Sequence, residues 1–325
     1  MKRVFIHCGL PKCGSTSLQA FLTGNSPFLA ENGFEYPTAG MDANRLAQHN
    51  LVYEMLGSPQ FKPELGTTND VIASFRATVL DGVLSSEGFS RILWNQMYYQ
   101  NFETFHDGLR CAGAEEISYV LFIRNVVSFV ESSYIQSIIA GNLKEPSLVQ
   151  FARSRAAHFQ ELFDGLEWLG ETLDSSVILR DVTGHDSSDV FLKCIGITSP
   201  APPKPERKNV RVSLKRAAFL YRYRFIENHS HEQFRKLARR LSRLPAGPGE
   251  SKQSYRLLPR GLADEISETV GAISPLQFRY EISLATQPET VDYEPAILED
   301  VPLSKEEVAY FLSAISPARA AAPLP

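Results

Sequence analysis

Short continuous apolar runs and longer stretches of helical period alternate along the chain. The runs RVFIHC (residues 3–8), GVLSSE (82–87), ISYVLFIR (117–124) and SSVILR (175–180) are bounded by glycine or polar residues. ISYVLFIR is the clearest, apolar at nearly every position, as in a strand buried on both faces of a parallel sheet. GFEYP (33–37) adds a brief extended piece ended by proline. Between them the pattern predicts helices over 15–23, 43–56, 70–80, 94–105, 126–140, 147–173 and 189–196. Strands alternating with helices predict an α/β fold with a central parallel sheet flanked by helices.

Beyond Gly196 the pattern changes. TSPAPPKPE (198–206) reads as a proline-rich linker, followed by a basic helix over 213–244, a Gly/Pro break at PAGPGE, and helices near 261–270 and 304–313. The expected organisation is a core over 1–200, a basic, mainly helical C-terminal extension packing on it over 201–317, and a disordered tail over 318–325.

Charge sharpens this division. The net charge is −4, which speaks against a general nucleic-acid binder. Yet residues 204–243 hold thirteen Lys/Arg against three Glu, so the basic excess is concentrated in one segment. The four cysteines form no C-x-x-C pair, which predicts reduced thiols and no zinc site. No apolar stretch reaches the length of a transmembrane helix, and the first strand starts almost at once, leaving no room for a signal peptide. A cytoplasmic location is expected.

The first strand leads into the chemistry. VFIHCGLPKCGSTSLQAFL (4–22) reads as strand, glycine-rich turn and helix. Such a unit points backbone N–H groups at one spot, at the positive end of the helix dipole. Gly9 and Gly14 allow close approach, Ser15, Thr16 and Ser17 bring hydroxyls, and Lys12 brings a charge. The nucleotide-triphosphatase pattern needs lysine directly after the second glycine. Here Ser15 follows Gly14 and the lysine lies inside the loop.

GLPKCGSTSL resembles the 5′-phosphosulfate loop of the sulfotransferases that use 3′-phosphoadenosine 5′-phosphosulfate (PAPS), with its P-K-x-G-[ST]-[ST] core. Pro11, Lys12, Cys13, Gly14, Ser15, Thr16 and Ser17 span that core. The second half of the family signature places R-[DN]-P at the end of a buried strand, with serine eight residues after the arginine. LFIRNVVSFVESSY supplies Arg124, Asn125, Ser132 and Tyr134 at that spacing, with Val126 in place of the usual proline. The resemblance implies a P-loop-type three-layer fold of the carbohydrate-type branch or a related one. It implies that Lys12 stabilises the leaving phosphate oxygen and that Arg124 and Ser132 clamp the 3′-phosphate. It also implies a basic loop closing over the nucleotide, for which Arg207, Lys208 and Arg211 are candidates. PAPS is then a co-substrate, no metal is required, and the acceptor is a hydroxyl of a glycan, glycolipid or small metabolite.

Sulfonyl transfer to an alcohol needs a base. Glu87, just past a strand end, is the first candidate, and His49 the second, either as base or as a ligand of the acceptor. His7 reads as structural, bonding nearby backbone. The aromatic stretch WNQMYYQNFETF suits either a sugar face or core packing, and helical period favours core. Two other readings stay open. A kinase-like phosphotransferase is disfavoured by the missing lysine after Gly14 and by the lack of a clear strand ending in aspartate. A non-catalytic nucleotide-binding module is disfavoured by Lys12 together with Arg124 and Ser132, since a module without chemistry would not need the leaving-group lysine that the resemblance implies.

Overall fold

The computed structural model of the chain describes all residues except 45, 144–146, 200–201, 203–212, 242–243, 246, 248–254, 288–293 and 314–325. Five strands form one parallel sheet: β1 (Arg3–His7), β2 (Phe34–Glu35), β3 (Asp81–Ser85), β4 (Glu116–Ile123) and β5 (Ser176–Asp181), in the order β2-β3-β1-β4-β5. The α/β architecture with a parallel sheet is therefore as the pattern predicts. β4 explains its own apolar run: Ile117 to Ile123 are all buried, with neighbours on both sides. The register aligns His7 of β1 with Ser85 of β3 and Val120 of β4. The carboxyl ends of the three central strands thus emerge side by side, where open parallel sheets bind ligands.

Contacts divide the residues into two units interleaved in sequence. The first holds Met1–Val126, Ala157–Lys208 and Val270–Gln287, and contains the whole sheet. The second holds Val127–Ala156, Asn209–Thr269 and Pro288–Pro325. Its core packs Tyr134, Ile138, Phe219, Phe234, Leu237 and Phe311.

The basic helix expected over 213–244 is broken. Helix Leu214–Tyr221 passes through a wide turn at Arg222–Ile226, stops, and restarts as helix His231–Leu241. Asn228 takes a left-handed φ of 54°. Arg224 Nη1 donates to His229 O, and Ser230 with Gln233 caps the new helix in both directions, which fixes the break. The apolar periodicity continues across the interruption and conceals it. Among the described residues no helix is long and apolar enough to cross a membrane.

One buried carboxylate ties the second unit together. Glu131, on helix Val126–Ile139, is fully buried. It accepts from Arg256 Nη1 at 3.0 Å and from the backbone N–H groups of Leu257 and Leu258 at 2.6 and 3.0 Å. Arg256 also donates to Ser128 Oγ at 2.8 Å. Removing such a carboxylate takes the charge partner from a half-buried cation and strands two buried N–H donors. Glu131→Ala is expected to destabilise the protein by about 3–5 kcal/mol. Urea denaturation checks this, and a loss under 1 kcal/mol would show that the network carries little.

Candidate functional site

The segment after β1 stays paired to β4 beyond the strand's end. Cys8 N donates to Val120 O at 2.9 Å, Leu10 N to Phe122 O at 3.0 Å, and Phe122 N to Gly9 O at 2.7 Å. The chain must therefore reverse within Pro11–Gly14. It does so with Lys12 at φ 68° and Gly14 at φ 83°, both left-handed. Gly14 has a second reason to be glycine: a Cβ there would meet Ser187 Oγ at 2.8 Å, and that hydroxyl donates to Gly14 O at 3.0 Å.

Helix Ser15–Gly24 follows; Ser17 N already donates to Gly14 O at 3.0 Å, and the N–H groups of Ser15 and Thr16 precede this first intrahelical bond. Ser15 is buried and donates to Leu10 O at 3.1 Å, so its hydroxyl braces the loop. Thr16 is exposed and Ser17 half-buried. Cys13 is buried, and burial pushes its thiol up to about 12.

Lys12 is an exposed residue, but the atoms around its ammonium lower its pKa. Arg124 acts in the same direction and Glu87 opposes. Arg124 leaves the end of β4 half-buried and donates from Nη1 to Lys12 O at 3.2 Å. Glu87 is set by the loop itself: a Cβ on Gly9 would lie 3.1 Å from Glu87 Cα. Around Glu87, Ser86 N donates to His7 O and Ser90 N to Cys8 O, which tie the β3 end to the β1 end.

His49 arrives by a different route. The helix expected over 43–56 forms only at His49–Met55. The preceding residues are taken by the sheet: Gln48 N donates to Ser85 O at 3.0 Å, and Gln48 Oε1 accepts from Ser85 N at 2.8 Å. This seats His49 Nδ1 2.6 Å from Ser86 Oγ. Burial lowers the His49 pKa, Glu87 and Asp42 oppose, and Arg91 adds to the lowering.

Lys12, Arg124, Glu87 and His49 are thus gathered at one end of the sheet. Ser132 lies half-buried on helix Val126–Ile139, next to Glu131 in the second unit. Arg207, Lys208 and Arg211 lie outside the described residues. Of the aromatic stretch, Phe102 and Phe105 are core, Phe102 packing on Phe89, Tyr119 and Trp168, whereas Trp94, Tyr98 and Tyr99 are half-buried, Tyr99 stacking on Trp168 at 4.0 Å.

Two residues were not legible as participants. Ser86 sits beside Glu87 in the sequence, yet only the fold brings it to His49. Asp181 corrects the expectation that no strand ends in aspartate, since β5 does. Its Oδ1 accepts from Thr183 N at 2.9 Å and Thr183 Oγ1 at 2.6 Å. A depression of about 480 Å³ at the β5 edge, lined by Leu179, Arg180, Phe278 and Glu281 among others, contains none of the gathered residues. Comparison with protein-family models, curated proteins and solved structures gives no match to this chain.

His7 is buried with Nδ1 2.9 Å from Ser85 Oγ, a side-chain partner rather than the expected backbone one. Burial pushes its pKa down to about 3, and burial likewise pushes His106, held 2.8 Å from Tyr119 Oη, to about 4. Both stay neutral in the folded state while the unfolded chain protonates them near pH 6.5. Their contribution is complete above that pH and is lost as pH falls toward the folded values. Between pH 6.5 and 5 each is expected to cost about 1–2 kcal/mol of stability. Urea denaturation at the two pH values reads the loss, and His7→Gln should remove about half of it.

Proposed function

We propose that the chain is a sulfotransferase that moves the sulfonate of PAPS to an acceptor hydroxyl, of a glycan, glycolipid or small metabolite. The observation that carries the reading is the convergence of Lys12, Arg124 and Glu87 on one tight loop at the carboxyl end of β1, β3 and β4. Two cations, first-turn N–H groups and one carboxylate form a place for an anionic donor beside a proton acceptor.

The roles follow from charge. The loop N–H groups and Lys12 hold the phosphosulfate, and Lys12 offsets the charge that grows on the phosphate oxygen as the sulfonate leaves. Arg124, with Ser132 by its spacing, binds the 3′-phosphate. Glu87 takes the proton of the attacking hydroxyl. The step balances as follows: the acceptor oxygen bonds to sulfur, the sulfur–phosphate oxygen bond breaks, and the hydroxyl proton moves to the carboxylate.

A kinase-like phosphotransferase gains one observation, Asp181 at the end of β5. Against it, Oδ1 of Asp181 already accepts twice from Thr183, and Ser15 stands where the triphosphate lysine belongs. Thermal unfolding separates the two. Saturating adenosine 3′,5′-bisphosphate, at about 100 times its Kd, should stabilise the protein by about 2.7 kcal/mol, and ATP with Mg²⁺ by less. Lys12→Ala should lower turnover by about 10²–10³-fold while weakening that nucleotide far less, because the lost interaction belongs to the transition state. Equal losses in affinity and turnover would remove the leaving-group role.

The base is tested by comparison. Glu87→Gln should slow single-turnover transfer by about 10²–10⁴-fold with donor affinity unchanged. His49→Gln should slow it less; the reverse ranking moves the base to His49.

A further inference from the structure

We propose that Ser86 fixes His49 as the tautomer with its proton on Nε2, making His49 a hydrogen-bond donor toward the acceptor oxygen and leaving proton acceptance to Glu87. The tautomer follows from hydrogen-bond counting around one buried hydroxyl; the role toward the acceptor rests on the sulfotransferase reading.

Ser86 is completely buried. Its Oγ has two partners among the described residues: Gly88 N at 3.1 Å and His49 Nδ1 at 2.6 Å. The Gly88 N–H can only donate, so the oxygen is its acceptor. The hydroxyl has a single hydrogen, and the available acceptor for it is Nδ1. The opposite arrangement, Nδ1–H donating to Oγ, would leave that hydrogen buried without a partner, a costly state. Nδ1 is therefore an acceptor, and a neutral ring then carries its proton on Nε2.

The backbone enforces this contact. Gln48 holds both main-chain groups of Ser85, and Ser86 N is held by His7 O, so neither partner can drift. The charged groups around the ring are Glu87 and Asp42, which favour protonation, and Arg91, which disfavours it; burial outweighs the carboxylates and keeps the ring neutral. His49 is half-buried, so its ring is not enclosed on every side.

The consequence for the reaction is direct. Nε2 bears a hydrogen and has no lone pair to accept a proton, while the lone pair of Nδ1 is engaged inside the protein. His49 can donate to the acceptor oxygen while that oxygen's own hydrogen points to the Glu87 carboxylate. One lone pair is then oriented by His49 and another is left to attack sulfur. Ser86 acts through His49 and is a positioning residue.

The test needs no substrate. Full-length protein labelled with ¹⁵N-histidine is examined by long-range proton–nitrogen spectra near neutral pH, with His49 assigned from the signal lost in His49→Gln. The expected pattern is a protonated-type shift at Nε2 and an unprotonated-type shift at Nδ1. Ser86→Ala should move both shifts toward the exchange-averaged pattern, and Ser86→Thr, which keeps the hydroxyl, should restore them. A wild-type ring protonated on Nδ1, or averaged, overturns the assignment. An unchanged pattern in Ser86→Ala overturns the role of Ser86. Should Ser86→Ala fail to fold, the wild-type spectrum still decides the tautomer, and Ser86→Cys, which replaces the hydroxyl by a weakly donating thiol, decides its dependence on the hydroxyl. Failure of the protein to bind adenosine 3′,5′-bisphosphate would instead remove the sulfotransferase reading and leave the tautomer standing.

Discussion

The pairing of β1 with β4 continues past the end of β1, and this constraint sets the loop. With Leu10 N still bonded to Phe122 O, only four residues remain to turn the chain into helix Ser15–Gly24. So tight a reversal requires left-handed backbone at Lys12 as well as Gly14. For a lysine this conformation costs about 1–2 kcal/mol. The cost is met by bonds around it: Arg124 holds Lys12 O, Ser15 holds Leu10 O, and Ser187 holds Gly14 O. Strain of this kind persists only where the surroundings over-determine it, and it concentrates at functional sites. The lysine lies inside the loop because the ladder leaves it nowhere else to stand.

Electrostatics then give the loop its preference. The protein atoms around the Lys12 ammonium disfavour its charge although the residue as a whole is exposed, and Arg124 beside it adds to the cost. Glu87 offsets part of this. An anion seated on the loop would offset the rest, so binding of an anion and protonation of Lys12 favour each other. In the proposed reaction the carboxylate that steadies the cation is also the one that takes the hydroxyl proton. One group therefore serves both the resting charge balance and the proposed transfer.

The parallel sheet was legible because strands buried on both faces leave continuous apolar runs, as Ile117–Ile123 do. The loop was legible because a tight turn ahead of a helix demands glycine at fixed places, here Gly9 and Gly14. Glu87 could be placed because it follows a strand end. What escaped the sequence depends on polar side chains bonding across long separations. Gln48 stops a helix from starting at residue 43 by pairing with Ser85, and no periodicity records that. The break at Asn228 was hidden because its flanking helices keep one apolar stripe. Asp181 escapes for a simpler reason: the run SSVILR stops one residue short of the strand's limit.

The segment that carries His49 illustrates why such polar links matter. Between 40 and 66 the described residues form only the short helices His49–Met55 and Pro63–Leu65, so hydrophobic burial alone would not fix their path. Asn50, almost fully buried, does so with its amide: Nδ2 donates to Lys62 O and Gly66 O, and Oδ1 accepts from Lys62 N. Its own N–H donates to Gly40 O. Gln48 secures the same segment to Ser85, and Gln48 Nε2 donates to Pro37 O. Together these bonds satisfy backbone groups that a loop would otherwise leave to water. A buried network satisfied in this way selects one conformation, because losing a member strands several others. His49 lies between Gln48 and Asn50, so the two residues that lock the segment to the sheet also fix the place of its imidazole.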